Sequence, residues 1–154
     1  MDGTDLPVWS SRDPHDTNRG LGDPDARVGR TKRGFILGYQ SLFLVDVEGH
    51  PLGHVEAPAN ANDKGLVEPL LDRVLGEDME VELLAGDSQF ESQRVFDALE
   101  SRKMAHLIAW RRVKGRVSPA DALTVRDRID VEGPEWKRII YKQLRAAVEG
   151  FIGG

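Results

Sequence analysis

Asp87 stands where an apolar run ends, in Met79 to Ser92 (MEVELLAGDSQFES), as a strand gives way through Gly86 to helix starts at Ser88 and Ser92. The carboxyl end of a buried strand is where α/β folds present functional groups to a ligand, although an Asp there also serves as a cap or turn residue. Asp2, in Asp2-Gly3-Thr4, is its natural partner if the first strand lies beside the strand bearing Asp87. Glu149 is the lone acid at the end of a basic stripe: Arg138, Lys142, Arg145 and Glu149 follow at intervals of four, three and four, along one polar face of a helix. Three carboxylates drawn together repel unless divalent cations neutralise them, and oxygen-only donors suit magnesium or manganese. Two such ions can stabilise the attacking and leaving oxygens of a phosphodiester displacement.

These acids need particular elements to bring them together. Before Asp87, Val81, Leu83 and Ala85 alternate with Glu80, Glu82 and Leu84; after it, Val95, Phe96 and Leu99 recur at helical spacing up to Arg102 and Lys103. Phe35 to Val47 is nearly continuous apolar, as expected of a central strand covered on both faces, and the turn Glu48-Gly49-His50 joins it to a second antiparallel strand, Leu52 to Ala57. Pro58 to Asp63 leads into an amphipathic helix marked by Leu66, Leu70, Leu71, Val74 and Leu75 and ended by Gly76, with Pro69 expected near its first turn. His106 to Trp110 reads as a short buried strand, Ser118, Pro119 and Asp121 as a helix start, and Pro134 as the opening of a long helix. That last helix carries Trp136, Ile140, Leu144, Val148 and Phe151 on one side.

Residues 10–34 read as loop, since only Leu6, Val8 and Trp9 offer a short alternation before Phe35. Asp16, Asn18 and Gly20 resemble a calcium loop in passing, but the first acidic ligand and the closing Glu are missing, which rejects that site. The order is a stub of strand, a hairpin, then alternating helix and strand: an α/β fold with a mixed sheet and helices on both faces. It is the ribonuclease H-like order, and the periodicities also fit other mixed sheets.

A chain of 154 residues is one domain in size. Its formal net charge of −5 argues against a surface coated in nucleic acid while leaving room for a basic stripe. The densest cationic run is Arg111, Arg112, Lys114 and Arg116, read equally as a solvated loop or a DNA-backbone contact. Neighbouring Trp110 could stack on a base, though such a residue more often completes a core. Cysteine is absent, so disulfides and thiolate metal sites are excluded, and the expected setting is a reducing, cytoplasmic one without membrane partners. The four His residues have no spacing typical of a metal site.

Taken as an ordered series, Asp2-Gly3-Thr4 with DLPVW, then GYQSLFLVDVEGHPLGHVEAPANANDKGLVEPLL, LLAGDSQFES and YKQLRAAVE, the chain resembles the catalytic domain of insertion-sequence transposases of the DDE class. The resemblance spans nearly the whole chain. It implies a ribonuclease H-like domain over 1–154 that nicks transposon ends by hydrolysis and joins the freed 3' hydroxyl to target DNA, using two Mg2+ or Mn2+ ions. By the same resemblance Asp2, Asp87 and Glu149 are the catalytic acids and metal ligands, with Asp5 a weaker candidate for the first. Arg111, Arg112, Lys114, Arg116, Arg138, Lys142 and Arg145 would face DNA, and the full-length protein would be a homodimer.

The family's Tyr, Arg, Glu and Lys signature on the last helix is kept in the interval from Arg145 to Glu149; Tyr141 stands one residue too far from Arg145 and the Lys would fall past Gly154. Phe90 replaces the usual Tyr after the second Asp. With Met1 directly before Asp2, the expectation is a first strand cut short, in a truncated or partial copy. The alternatives are an inactive remnant that keeps only fold, dimer or DNA contacts, and a ribonuclease H-like nuclease unrelated to transposition.

Overall fold

The computed structural model describes residues 1–31, 34–76, 79–108 and 135–153, without the side chains of 136–138. In chain order its elements are β1 (Asp2–Pro7), β2 (Arg27–Thr31), β3 (Gly34–Val45), β4 (Pro51–Pro58), α1 (Asp63–Val74), β5 (Leu83–Gly86), a 3-10 turn (Ser88–Phe90), α2 (Gln93–Glu100), β6 (Ala105–Ile108) and α3 (Glu135–Gly153).

The apolar, β-branched and aromatic run of β3 makes it the hub of a four-stranded antiparallel sheet. Its residues 39–43 pair with β1 on one edge and β4 on the other, while its first half pairs with β2, which shares the edge of β4 because Gly38 lies between Pro7 and Arg27. A second sheet holds β5 and β6 in parallel, Leu83 opposite Ala105 and Gly86 opposite Ile108. Parallel strands cannot be joined by a tight turn, and α2 supplies the crossover. The sheets meet at the start of β1, where the Met1 amine donates to the Ala85 carbonyl at 2.8 Å. Burial, reinforced by the Arg145 charge, lowers the pKa of that amine to about 5.

Successive residues of a strand point to opposite faces, so β3 can hold two helices. Leu42 and Leu44 enter the core with Val67, Leu70, Leu71 and Val74 of α1. The next residue, Phe43, meets Phe151 of α3 edge-on, with ring centroids 5.3 Å apart. Helices thus cover both faces of β3. On α3, Val148 is fully buried with Ile140, Leu144 and Phe151 partly so, which is the stripe the helical spacing describes, whereas Ile139 is exposed.

The hairpin, α1, α2 and the strand ending before Asp87 fall where the sequence places them, and three details differ. The single mixed sheet with the first strand central and beside the Asp87 strand is instead two sheets: β1 is an edge of the antiparallel one, β5 pairs with β6 in the other, and the Met1 amine bonds across to Ala85. Residues 10–34 are not all loop: β2 forms at Arg27–Thr31, and isolated bridges join Arg12 to Gly20 and Arg19 to Arg27. The strand before Asp87 starts only at Leu83, and Leu84, Ala85 and Gly86 are all buried, so it is covered on both faces rather than alternating. Pro69 lies in the second turn of α1, next to the first.

Gly38, like Gly29 against Ala59, is a tight crossing in the first sheet. A Cβ on Gly38 would lie 2.1 Å from the Leu6 carbonyl oxygen, backbone that cannot swing aside without moving β1. Gly38→Ala is expected to cost about 3 kcal/mol, at the upper end for overpacking, read as a lower urea midpoint at unchanged m-value. A midpoint within experimental error of the parent would contradict this close approach.

Candidate active site

β1 presents Asp2 at its start because six paired residues hold it against β3, from Asp2 opposite Phe43 to Pro7 opposite Gly38. β5 ends one residue before Asp87, whose Oδ1 accepts hydrogen bonds from the Ser88 backbone N–H and, at 3.0 Å, from the Ser88 hydroxyl. Asp87 therefore does cap the 3-10 turn, and this fixes its side chain at the strand end. Phe90 in that turn is fully buried, so the position keeps its packing without a hydroxyl. Ser92 then caps α2, its hydroxyl accepting from the Val95 N–H. α3 supplies Arg145 and Glu149, one turn apart.

These elements surround one open cavity of about 750 Å³ whose lining includes Asp2, Asp87 and Glu149 together with Asp5, Asp63 and Arg145. Arg145 is the link between them. Its guanidinium donates to Asp2 Oδ2 at 2.9 Å, to Glu149 Oε1 at 3.0 Å and to the Met1 carbonyl at 3.2 Å. The Arg145 and Asp2 side chains are only 12% and 18% exposed, whereas Glu149 is 62% exposed and its share of the pairing is correspondingly weak. Burial opposes the charge of Arg145, but the charge and hydrogen bond of Asp2, with a further contribution from Asp87, raise its pKa. On the other side of β1, burial first, then the charges of Asp5 and Asp2, raise the pKa of Asp63.

The family model for the transposase DDE domain matches residues 1–150. The chain belongs to that family. Membership carries a transposase function and a DNA substrate. No curated protein and no solved structure gives a significant match. Among the described residues of this DDE domain, no helix is long and apolar enough to cross a membrane.

Set against the sequence reading, Asp2, Asp87 and Glu149 line the same cavity, as does Asp5. Arg145, expected to face DNA, lines the cavity with its guanidinium paired to Asp2 and Glu149. Lys142 is exposed. Arg111, Arg112, Lys114 and Arg116, with Trp110 and the Ser118 and Pro134 helix starts, lie outside the described residues, and the Arg138 side chain is not described.

Two features escaped the sequence. Asp63 falls there at the end of the helix-entry segment Pro58 to Asp63, and only the fold carries it to the cavity. The other is a carboxylate and imidazole group at the β3–β4 turn, where ligand atoms of Asp46, Glu48 and His50 all lie within 4.8 Å of one another. Asp46 Oδ1 accepts from the Glu48 and His50 backbone N–H groups and its Oδ2 lies 3.1 Å from His50 Nδ1, so these contacts hold the hairpin turn. The His50 backbone bond is the main cause that lowers the pKa of Asp46.

The cavity's donor set is suited to a hard divalent cation: carboxylate oxygens from separate elements, with a guanidinium bridging two of them. A metal ion entering on the Asp2 side would take over part of the neutralisation that Arg145 supplies.

Proposed function

We propose that this chain is a ribonuclease H-like transposase catalytic domain performing metal-dependent phosphodiester hydrolysis and strand transfer at transposon ends, with Asp2, Asp87 and Glu149 as its catalytic acids and metal ligands. The observation that carries the reading is that acids from β1, the end of β5 and α3, far apart in sequence, line one cavity in a chain of the DDE family. Two Mg2+ or Mn2+ ions bound there would stabilise the attacking and leaving oxygens of the displacement.

The residues of the chain divide the remaining work. β1 holds Asp2 rigidly through its pairing, and the cap on Ser88 restricts the rotamers of Asp87. Glu149, more exposed, is free to adjust to what binds. Arg145, released from Asp2, would become available to a phosphate oxygen, while exposed Lys142 offers a charge to the DNA backbone nearer solvent. The protein would act on transposon ends and target DNA as a homodimer.

The test is thermal melting of the chain with and without millimolar Mg2+ or Mn2+, alongside a magnesium-dependent nicking assay on transposon-end DNA. Saturation at a hundredfold over Kd adds about 2.7 kcal/mol. For a domain of this size that is a rise of roughly 5–10 °C in Tm. A Tm unmoved by either ion, with no nicking, would sink this reading and leave the non-catalytic remnant.

A further inference from the structure

We propose that Arg30 and Phe35 form a single-stranded DNA contact at the β2 end of this cavity, Arg30 holding a backbone phosphate and Phe35 stacking on the base beside it. This contact rests on the reading of the cavity given above and adds to it a grip on the strand that flanks the reacting phosphate. Arg30 lines the cavity from β2, a strand that its own residues do not announce. The β2–β3 ladder fixes its place: Arg30 stands directly opposite Phe35, and opposite residues of an antiparallel pair project from the same face with Cβ atoms about 4.5–5.5 Å apart. Along β3, Phe35 is eight residues from Phe43, the partner of Asp2, a contour of roughly 27 Å. Arg30 therefore meets the strand some nucleotides away from the acids, not at the bond that is broken.

Neither side chain is spent within the described residues. The Arg–carboxylate pairs there join Arg19 to Asp13, Arg94 to Glu68, Arg102 to Asp72, and Arg145 to Asp2 and Glu149; Arg30 is exposed and in none of them. Asp5 and Asp63 line the same cavity, yet the charges that act on Asp63 are those of Asp5 and Asp2, and Arg30 is not among them. In a chain of net charge −5, an uncommitted guanidinium at the end of an acidic cavity gives an incoming polyanion its foothold. Phe35 is 68% exposed, and the ring contacts among the described residues, Phe43 with His54 and Phe151 and Phe96 with His106, do not include it. An exposed ring opposite an unpaired guanidinium suits an unstacked nucleotide, whose phosphate takes the cation and whose base takes the ring face. A duplex keeps its base faces inside its own stack, so the ring selects a single strand.

The probes are a fluorescein-labelled single-stranded oligonucleotide and the same sequence as a duplex. Their binding to the parent chain, Arg30→Gln and Phe35→Ala is measured by anisotropy without divalent metal over a range of salt, with melting curves for each chain with and without Mn2+. Phe35→Ala should weaken single-strand binding at least fivefold, the lower end for a lost base stack, while duplex affinity stays within twofold and the salt dependence is unchanged. Arg30→Gln should weaken single-strand binding and make the slope of log affinity against log salt shallower by about 0.7, the loss of one phosphate contact on a single strand. Metal-free Tm and the Mn2+-induced rise should match the parent's in both variants. A merely structural Arg30 that balances Asp5 and Asp63 would give the reverse, a lower metal-free Tm with affinity and slope unchanged, and that result overturns the proposal. So does a Phe35→Ala chain that loses single-strand and duplex binding alike, or loses neither. A parent chain that binds neither form of DNA overturns this contact together with the reading it rests on, whereas a parent that gains the Mn2+-induced rise and nicks transposon-end DNA, with both variants binding as it does, removes only the contact.

Discussion

Asp87→Asn is expected to abolish the rise in Tm caused by Mg2+ or Mn2+ and to lower nicking of transposon-end DNA by about 10³-fold or more, the order that follows when several kcal/mol of metal-assisted stabilisation are withdrawn. The substitution is informative because it separates the cap that Asp87 forms from the metal-binding role proposed for it. As a cap its Oδ1 accepts from Ser88, and an Asn carbonyl oxygen in the same place caps equally well. Metal-free stability should therefore stay within about 0.5 kcal/mol of the parent. What Asn cannot supply is the negative charge. If the variant instead melted well below the parent without metal and kept the full metal-induced rise, Asp87 would be a cap alone.

Arg145→Met should act in the reverse sense, lowering metal-free stability by about 2 kcal/mol while enlarging the gain from added Mn2+. Met keeps an apolar stem of similar length to pack along α3 and removes only the guanidinium. Asp2, 18% exposed, is then left without its partner beside Asp5 and Asp63, whereas Glu149, 62% exposed, returns to water at little cost. The loss corresponds to roughly 4–8 °C in Tm. Millimolar Mn2+ should recover most of it, since the ion replaces the missing charge without a competitor. A variant that melts like the parent, or that gains no more from Mn2+ than the parent does, would mean that the guanidinium and the ion do not share a place.

Much of this architecture is legible from local pattern. The β3–β4 hairpin follows from an apolar run, a Glu-Gly-His turn and a second run; Ser92 marks the start of α2; Gly86 and Asp87 mark the end of a buried strand. β2 is not legible, because RVGRT carries a single apolar residue, Val28, and becomes a strand only when the long edge of β3 offers it partners. Glu80 and Glu82 suggest alternation through Met79 to Ala85, yet pairing begins after them, at Leu83, where both faces are covered. Within the cavity, Asp2, Asp87 and Glu149 stand out by their placement at strand starts, strand ends and a helix stripe. The inward turn of Arg145 and the approach of Asp63 depend on how α3 docks on β1 and how α1 is tied to β3, and no short-range pattern encodes that.

The acids that share the cavity come from the second residue, from the middle and from the last helix of the chain, so their encounter has the character of a late, long-range closure rather than a local one. α3 joins them chiefly through Val148, Phe151 and the grip of Arg145 on β1. Undocking of that one helix would dismantle the constellation, and the free energy of such an opening, readable from amide hydrogen exchange along α3, would set the fraction of molecules in which the three acids share the cavity.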